Sequence, residues 1–118
     1  AADLSGISAA RADFRLAGLR GANLSHADLS HANLAGAYLT PLANLRGTAR
    51  VIEANLSAAK LAGANLSGAK LTRCHLARAD LRGANLTDSD LTGADLSGAN
   101  LSGAELSGAK LDGTLLAK

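Results

Sequence analysis

A large residue, nearly always Leu, recurs every five residues along most of this chain. Residues 79–113 read ADLRG ANLTD SDLTG ADLSG ANLSG AELSG AKLDG, so each unit has a small residue first, a polar residue second and Leu third. The whole chain divides into 23 such units, of which 20 are centred on Leu and one on Ala9, and Ala stands two positions before the centre in 19. A period of five fits neither the 3.6-residue repeat of a helix nor the two-residue repeat of a long strand.

Each unit predicts a short extended side followed by a turn. The central residue and the residue two positions before it point the same way in an extended segment, which leaves the last two residues to turn the chain. Glycine fills the last position in 12 units, and glycine tolerates the positive φ that tight turns often require. The chain should therefore coil with Leu and Ala inside, and only stacking of the coils can bury the Leu side chains.

These units resemble the pentapeptide-repeat family, whose pattern is A(D/N)LXX, and the resemblance covers essentially the whole chain. It implies an all-β fold, a right-handed quadrilateral β-helix with four units per coil, whereas the period alone leaves the number of sides open. The 23 units would make about six coils, and residues 1–118 would form one solenoid domain. The core is expected to include Phe14, Leu24, Leu45, Leu66, Leu86 and Leu106.

The five-residue spacing is interrupted once. Between Leu39 and Val51 two successive centres lie six residues apart, so that residues 40–53 carry two extra residues. We expect them to bulge outward at one or two corners, with the proline at a turn. This irregular surface is a candidate partner contact, and the alternative is an insertion that a corner merely tolerates. Its candidate residues are Pro41, Leu42 and Ile52.

With 20 residues per coil, and 21 across each extra residue, the second residues of the units should align in columns. One predicted column places Asn44 between Asn23 and Asn65, and the next aligns Asp28 with Arg50. Stacked Asn side chains can hydrogen-bond to one another along the axis of stacked strands. We therefore expect an Asn column to be structural and not a binding site.

Two further segments are candidate interaction surfaces. Arg73, Arg78 and Arg82 form the densest basic segment, but Asp80 lies among them and stacking aromatic residues are missing, so ordinary solvated charge is the alternative to an anion or nucleic-acid site. Near the C-terminus, Leu115 and Leu116 would expose apolar surface at one end of the stack. This pattern favours an end-to-end homodimer or attachment to a larger protein, with a self-capping coil as the third alternative.

Composition argues against several classes of function. The net charge of +2 comes from 12 basic and 10 acidic residues, which is not the electrostatic footprint of a nucleic-acid-binding protein. Cys74 is the single cysteine and occupies an inward Ala position, where we expect a buried thiol and not a nucleophile. No metal-ligand spacing and no Ser-His-carboxylate relay is present, so the sequence predicts no enzyme, no metal and no cofactor.

The sequence predicts no membrane span and no signal peptide. A cytoplasmic location is expected, although the chain starts at Ala1 without Met, and a removed targeting segment stays an alternative.

The first functional hypothesis is a non-enzymatic interaction or scaffold module with a protein partner. The resemblance implies a second, a mimic of DNA that binds DNA gyrase, which the balanced charge disfavours. The third is a targeting or attached module excised from a larger protein.

Overall fold

The computed structural model describes residues 2–43 and 51–116. The second residue of each unit forms a parallel bridge with its equivalent in the next coil, 20 residues along the chain wherever the spacing is regular, as in Asn65 and Asn85. Twenty residues make four units, so the bridges form four columns. The longest column contains Asp3, Asn23, Asn55, His75, Asp95 and Leu115.

Three main-chain hydrogen bonds join a unit to the coil that follows it. The N–H of the central Leu66 donates to the carbonyl of Asn85 at 2.7 Å, and the N–H of Asn85 donates back to Ala64 at 2.9 Å. At the corner, the N–H of Gly68 donates to Thr87 at 2.9 Å. Because these bonds recur in unit after unit, the short sides are held by their neighbours along the axis of the stack.

The corner of each unit is a tight turn whose third residue has positive φ. In the unit of Leu66, the N–H of Ala69 donates to the Leu66 carbonyl at 3.1 Å, and Gly68 has a φ of +64°. Eleven glycines adopt positive φ in the described residues, all at this corner position. The prediction that glycine turns the chain is confirmed.

The polar second residue of a unit supports the same corner. The Oδ1 of Asn65 accepts the main-chain N–H of Ser67 at 3.0 Å, and the Oδ1 of Asn85 accepts that of Thr87 at 3.0 Å. Such local bonds satisfy a turn that the main chain alone leaves open. The expectation that Asn side chains would bond to one another along the axis is wrong, because their oxygens face their own turns.

The interior is a stack of Leu and Ala layers. Among described residues that point inward, those from Ala22 to Leu96 expose at most 2% of their surface. Of the predicted core residues, Leu24, Leu66 and Leu86 are buried. Phe14 and Leu106 belong to the first and last coils and are partly buried, and Leu45 lies outside the described residues.

The prediction that two extra residues bulge outward at one or two corners is wrong, because more residues than two leave the stack. Asn23 forms its bridge with Asn55, 32 residues away, which is 12 more than one coil. The two strands of the structure, β1 (Leu42–Ala43) and β2 (Val51–Ile52), pair antiparallel with Leu42 opposite Ile52. An antiparallel pair cannot belong to a parallel stack, so the stack passes directly from the unit of Leu39 to that of Leu56.

Pro41 explains why the chain leaves the stack at this corner. Pro41 occupies the corner position of the Leu39 unit, which in other units adopts positive φ and donates an N–H to the next coil. Proline fixes φ near −65° and has no N–H, so it can do neither. In residues 2–43 and 51–116 the bridges therefore align 21 units in the stack, and not the expected 23. The predicted alignments of Asn23 with Asn44 and of Asp28 with Arg50 are replaced by bridges to Asn55 and Lys60.

Candidate interaction surfaces

A strained leucine marks one corner near the first coil. Leu16 has a φ of +58° and exposes 71% of its surface. The left-handed conformation costs a residue with a Cβ about 1–2 kcal/mol, and it is especially unusual for a bulky side chain. The Leu16 side chain lies over Gly36 of the next coil, where an added Cβ would come within 2.7 Å of Leu16 Cδ2.

A shallow cavity of about 550 Å³ adjoins this leucine and is lined by Asp13, Arg15, Leu16, Ala35 and Gly36. We call these five residues the corner surface. The guanidinium of Arg15 donates two hydrogen bonds to the Asp13 carboxylate, from Nε to Oδ1 at 2.9 Å and from Nη2 to Oδ2 at 2.7 Å. These bonds are the main reason that the pKa of Asp13 is lowered to about 2. The cavity thus combines an apolar wall with a fixed ion pair.

Tyr38 extends the exposed apolar area onto the adjoining side. It exposes 46% of its surface and forms its bridge with Gly18 of the first coil, which has no side chain to cover it. Neither Leu16 nor Tyr38 was among the interaction residues predicted from the sequence. The available signal was local: Leu16 stands at a corner position that glycine fills in most units.

The predicted surface around the irregular segment is anchored by an acidic residue that the sequence analysis did not consider. Glu53 follows β2 directly, and its Oε2 accepts from Arg73 Nη2 at 2.9 Å. Its Oε1 lies 2.8 Å from His75 Nε2, and this contact is the largest cause of the lowered pKa of Glu53. Pro41 and Leu42 are half-buried, and the main chain of Ile52 pairs with Leu42. The residue that follows β2 is therefore tied to the third coil through Arg73 and to the fourth coil through His75.

The structure does not gather the predicted basic segment into one patch. Arg73, Arg78 and Arg82 lie at three successive corners, so they face different directions. Arg73 is paired with Glu53, and Arg82 binds Asp80 through Nε at 2.8 Å and Nη2 at 2.7 Å. The Arg82 hydrogen bond is the main cause of the lowered pKa of Asp80. These pairs offset much of the positive charge that the sequence suggested.

The last described coil exposes the apolar side chains that the sequence indicated. Leu115 and Leu116 expose 56% and 57% of their surfaces, and Leu111 exposes 40%. Leu115 still pairs with the coil before it, because its N–H donates to Ala94 and its carbonyl accepts from Leu96. These leucines are therefore exposed although the last described coil is paired with the coil before it.

Two potentially reactive side chains lie in the interior. Cys74 is fully buried, and burial raises the pKa of its thiol. Ser89 is also fully buried, and its Oγ has no hydrogen-bond partner. In the part of the chain that the structure describes, no group of three or more His, Cys, Asp or Glu residues is placed to hold a metal ion.

The repeat geometry and the sequence pattern agree with a known family. The family model for pentapeptide repeats matches the chain in eight copies, over residues 1–36, 52–88 and 79–116. The chain belongs to the pentapeptide-repeat family. Its fold is accordingly a β-helix solenoid. The matched ranges leave out residues 37–51, the region in which the chain departs from the stack.

Solved structures with a similar chain path are pentapeptide-repeat proteins as well. Rfr23 from the cyanobacterium Cyanothece 51142 is 27% identical, with 98% of this chain and 88% of that chain covered and a TM-score of 0.45. HetL, involved in heterocyst differentiation regulation in Nostoc sp. strain PCC 7120, is 33% identical over 96% of this chain and 59% of that one, with a TM-score of 0.43.

A further pentapeptide-repeat protein, from Nostoc PCC 7120, is 33% identical over 85% of this chain and 77% of that chain, with a TM-score of 0.44. Comparison with curated proteins found no match. Within the described residues, no helix has the length and apolar character needed to cross a membrane.

Proposed function

We propose that this pentapeptide-repeat chain is a non-enzymatic interaction or scaffold module that binds a protein through the corner surface. In this proposal residues 1–118 form one domain, a right-handed quadrilateral β-helix, and its rigid coils hold the corner surface in place. The partner is a protein with an apolar side chain that fills the cavity beside Leu16.

The observation that carries the proposal is a large apolar side chain, Leu16, that is exposed at a corner of the stack. Leu16 has positive φ and 71% exposure, although the other described corners in its column have glycine or aspartate. Eight described corner residues other than glycine have positive φ, and Leu16 is the one among them with a large apolar side chain. The shallow cavity of about 550 Å³ next to it offers apolar surface to a partner's side chain. The Tyr38 ring and the Arg15 guanidinium nearby are the residue types that dominate binding energy at protein interfaces.

The interior supports a non-enzymatic role. Leu and Ala fill the described coils, and the two buried nucleophile types, Cys74 and Ser89, are out of reach of a substrate. The DNA-mimic alternative is disfavoured, because Asp13, Glu53 and Asp80 are paired with arginines. A mimic of DNA needs a continuous negative surface, and these acids do not supply one.

Site-specific photocrosslinking tests the proposal. A photoreactive residue placed at Leu16 in cells that naturally express the chain should trap one protein, which is identified and purified for a binding measurement. We expect Leu16→Ser to weaken that binding at least tenfold, since the apolar anchor is lost. The matched control is the same photoreactive residue at Ser107, an exposed position in the last coils.

The result that contradicts the proposal is equally specific. If the purified protein binds the Leu16→Ser variant as tightly as the parent chain, the corner surface is not the contact. If the crosslinker at Leu16 traps no protein that the Ser107 position fails to trap, the chain has no partner at this corner.

A further inference from the structure

Arg20 and Lys70 are exposed cations that form no ion pair with an acid of the chain. The residues that the structure describes include all ten acidic residues, and none of these lies within ion-pair distance of either cation. Both cations belong to the side of the stack that carries Tyr38, which extends the apolar area of Leu16. Their charges are therefore open to a partner that binds at the corner surface.

The guanidinium of Arg20 is directed toward one end of this side. Arg20 lies in the first coil, and its Nη2 donates to the carbonyl of Pro41 in the second coil at 3.4 Å. Pro41 stands at the corner where the side of Tyr38 ends. The contact places a positive charge next to that corner.

Lys70 brings a second positive charge to the opposite end of the same side. It follows Tyr38 in the column of bridges, and its Nζ donates to the carbonyl of Gly68 at 3.2 Å. Gly68 stands two coils after Leu16 in the same column of corners, and an added Cβ there would meet no atom within 4 Å. A side consists of about three extended residues, so the two cations lie on the order of 10 Å apart with Tyr38 between them.

The acids that follow Lys70 along the stack are directed to other groups. Asp90 comes next in its column, and its Oδ1 accepts the main-chain N–H of Thr92 at 3.1 Å and the Thr92 hydroxyl at 2.6 Å. Asp88, at the neighbouring corner, extends over Gly108, where an added Cβ would meet its carboxylate. Neither carboxylate binds the Lys70 amine, which stays free to bind an anion of a partner.

Building on the proposed function, we infer that the corner surface binds a short acidic segment of its partner protein. An apolar side chain of the segment enters the cavity beside Leu16, and two carboxylates bind Arg20 and Lys70. Extended chain rises about 3.3 Å per residue, so carboxylates about three residues apart match the separation of the two cations. Charge-assisted hydrogen bonds of this kind are stronger than neutral ones, and complementary charge selects among partners.

The same surface fits a nucleic acid less well. Phosphates repeat along a strand, and proteins that bind single strands follow them with a continuous positive groove and stacking aromatic rings. Here Asp88 and Asp90 interrupt the positive charge directly beyond Lys70, and the exposed apolar corner is the aliphatic side chain of Leu16. A peptide with separate acidic and apolar side chains matches this arrangement.

NMR titration with capped synthetic peptides tests the inference. The probe is Gly-Gly-Glu-Leu-Gly-Glu-Gly-Gly, and its matched partners carry lysine in place of both glutamates or serine in place of leucine. We expect the acidic probe to shift the methyl resonances of Leu16 and the ring resonances of Tyr38, and to bind at least about fivefold more tightly than the lysine peptide. This advantage should shrink in about 1 M NaCl, which screens exposed charges. The serine peptide should bind more weakly than the probe.

Variants of the two cations locate the charge preference. Arg20→Gln and Lys70→Gln should each weaken binding of the acidic probe by about twofold, which is the effect of one exposed ion pair, and should not weaken binding of the lysine peptide. The matched control is Lys60→Gln, which removes the same charge from the opposite side of the stack and should leave binding of the probe unchanged.

Several results would overturn the inference, and they are distinct from failure of the proposed function. Equal affinities of the acidic and lysine peptides, with Leu16 still shifted, would leave an apolar contact at the corner surface without an acidic partner. Unchanged binding in both glutamine variants would place the acids elsewhere. A ten-nucleotide oligothymidylate that shifts the same resonances at lower concentration than the probe would make the ligand a nucleic acid. If no leucine-containing peptide shifts Leu16 and photocrosslinking there traps no partner, the corner surface itself is refuted.

Discussion

Ser89 is the side chain whose replacement gives the sharpest test of how the interior is built. Its Oγ is fully buried without a hydrogen-bond partner, in a position that Ala occupies in the coils on both sides. Its main chain is satisfied, since its N–H donates to Leu86 at 3.1 Å and its carbonyl accepts from Lys110 at 2.9 Å. The substitution Ser89→Ala therefore removes an unpaired hydroxyl and nothing that the fold uses.

The size of the effect follows from desolvation. A buried polar group without a partner costs about 1–3 kcal/mol, while the void left by one oxygen is too small to cancel that gain. We expect Ser89→Ala to raise the free energy of unfolding by at least about 1 kcal/mol. For a chain of 118 residues this corresponds to a rise in Tm of roughly 3–6 °C for each kcal/mol.

Urea and thermal unfolding followed by circular dichroism measure this change, with Ser107→Ala as the matched control. Ser107 is exposed, so its replacement should change stability by no more than about 0.5 kcal/mol. The reverse exchange, Cys74→Ser, should destabilise the chain, because it introduces a buried hydroxyl at an equivalent inward position. A Ser89→Ala variant no more stable than the parent would refute the reasoning, since the hydroxyl would then have a partner.

Two further predictions concern register and acid response. In a Cys74→Ala background, a pair of cysteines at positions 28 and 60 should form a disulfide, because Asp28 and Lys60 are bridged. A pair at Asp28 and Arg50 should not form one. Free-thiol titration measures both pairs, and the opposite pattern would support the register expected from the sequence. Arg15→Ala should raise the pKa of Asp13 from about 2 toward the ordinary range of an aspartate, as followed by carboxyl NMR. An unchanged pKa would mean that Arg15 is not the cause. Since the folded pKa is lowered, the pair contributes stability above the unfolded pKa and loses it as pH falls through the folded value, so the variant should be less sensitive to acid between about pH 4 and pH 2.

The five-residue pattern predicts the local structure well because each unit repeats the same physical solution. Leu and Ala at fixed positions make the inward face, and the glycine corners are required by positive φ, so Leu66 and Gly68 could be placed from the sequence. The buried thiol of Cys74 followed from the same alignment. These features depend on neighbours within five residues and on identical layers above and below.

The register across the irregular segment could not be obtained in this way. Residues 43–47 read ANLRG and match the repeat perfectly, so the pattern counts them as a unit. The stack is interrupted before them because Pro41, with its fixed φ and missing N–H, cannot form a corner that bonds to the next coil. The pairing of Glu53 with Arg73 and His75 depends on that departure and was therefore invisible as well.

The corner surface was missed for a related reason. A Leu at a corner position looks like a small deviation in a repeat, and the sequence does not reveal that it lies over a glycine of the next coil with most of its surface exposed. The basic segment was over-interpreted for the opposite reason. Residues close in sequence point in different directions when each corner turns the chain, so Arg73, Arg78 and Arg82 do not share a surface.

The residues that leave the stack after Pro41 lengthen the chain without changing how the coils stack. Asn23 and Asn55 pair as directly as Asn65 and Asn85 do, although 12 more residues connect them. Each doubling of a flexible connection costs only about 0.6 kcal/mol in closure entropy. A foreign segment grafted between β1 and β2 could therefore grow or shrink without moving any layer, which makes this corner a natural attachment point for displaying peptides on a rigid rod.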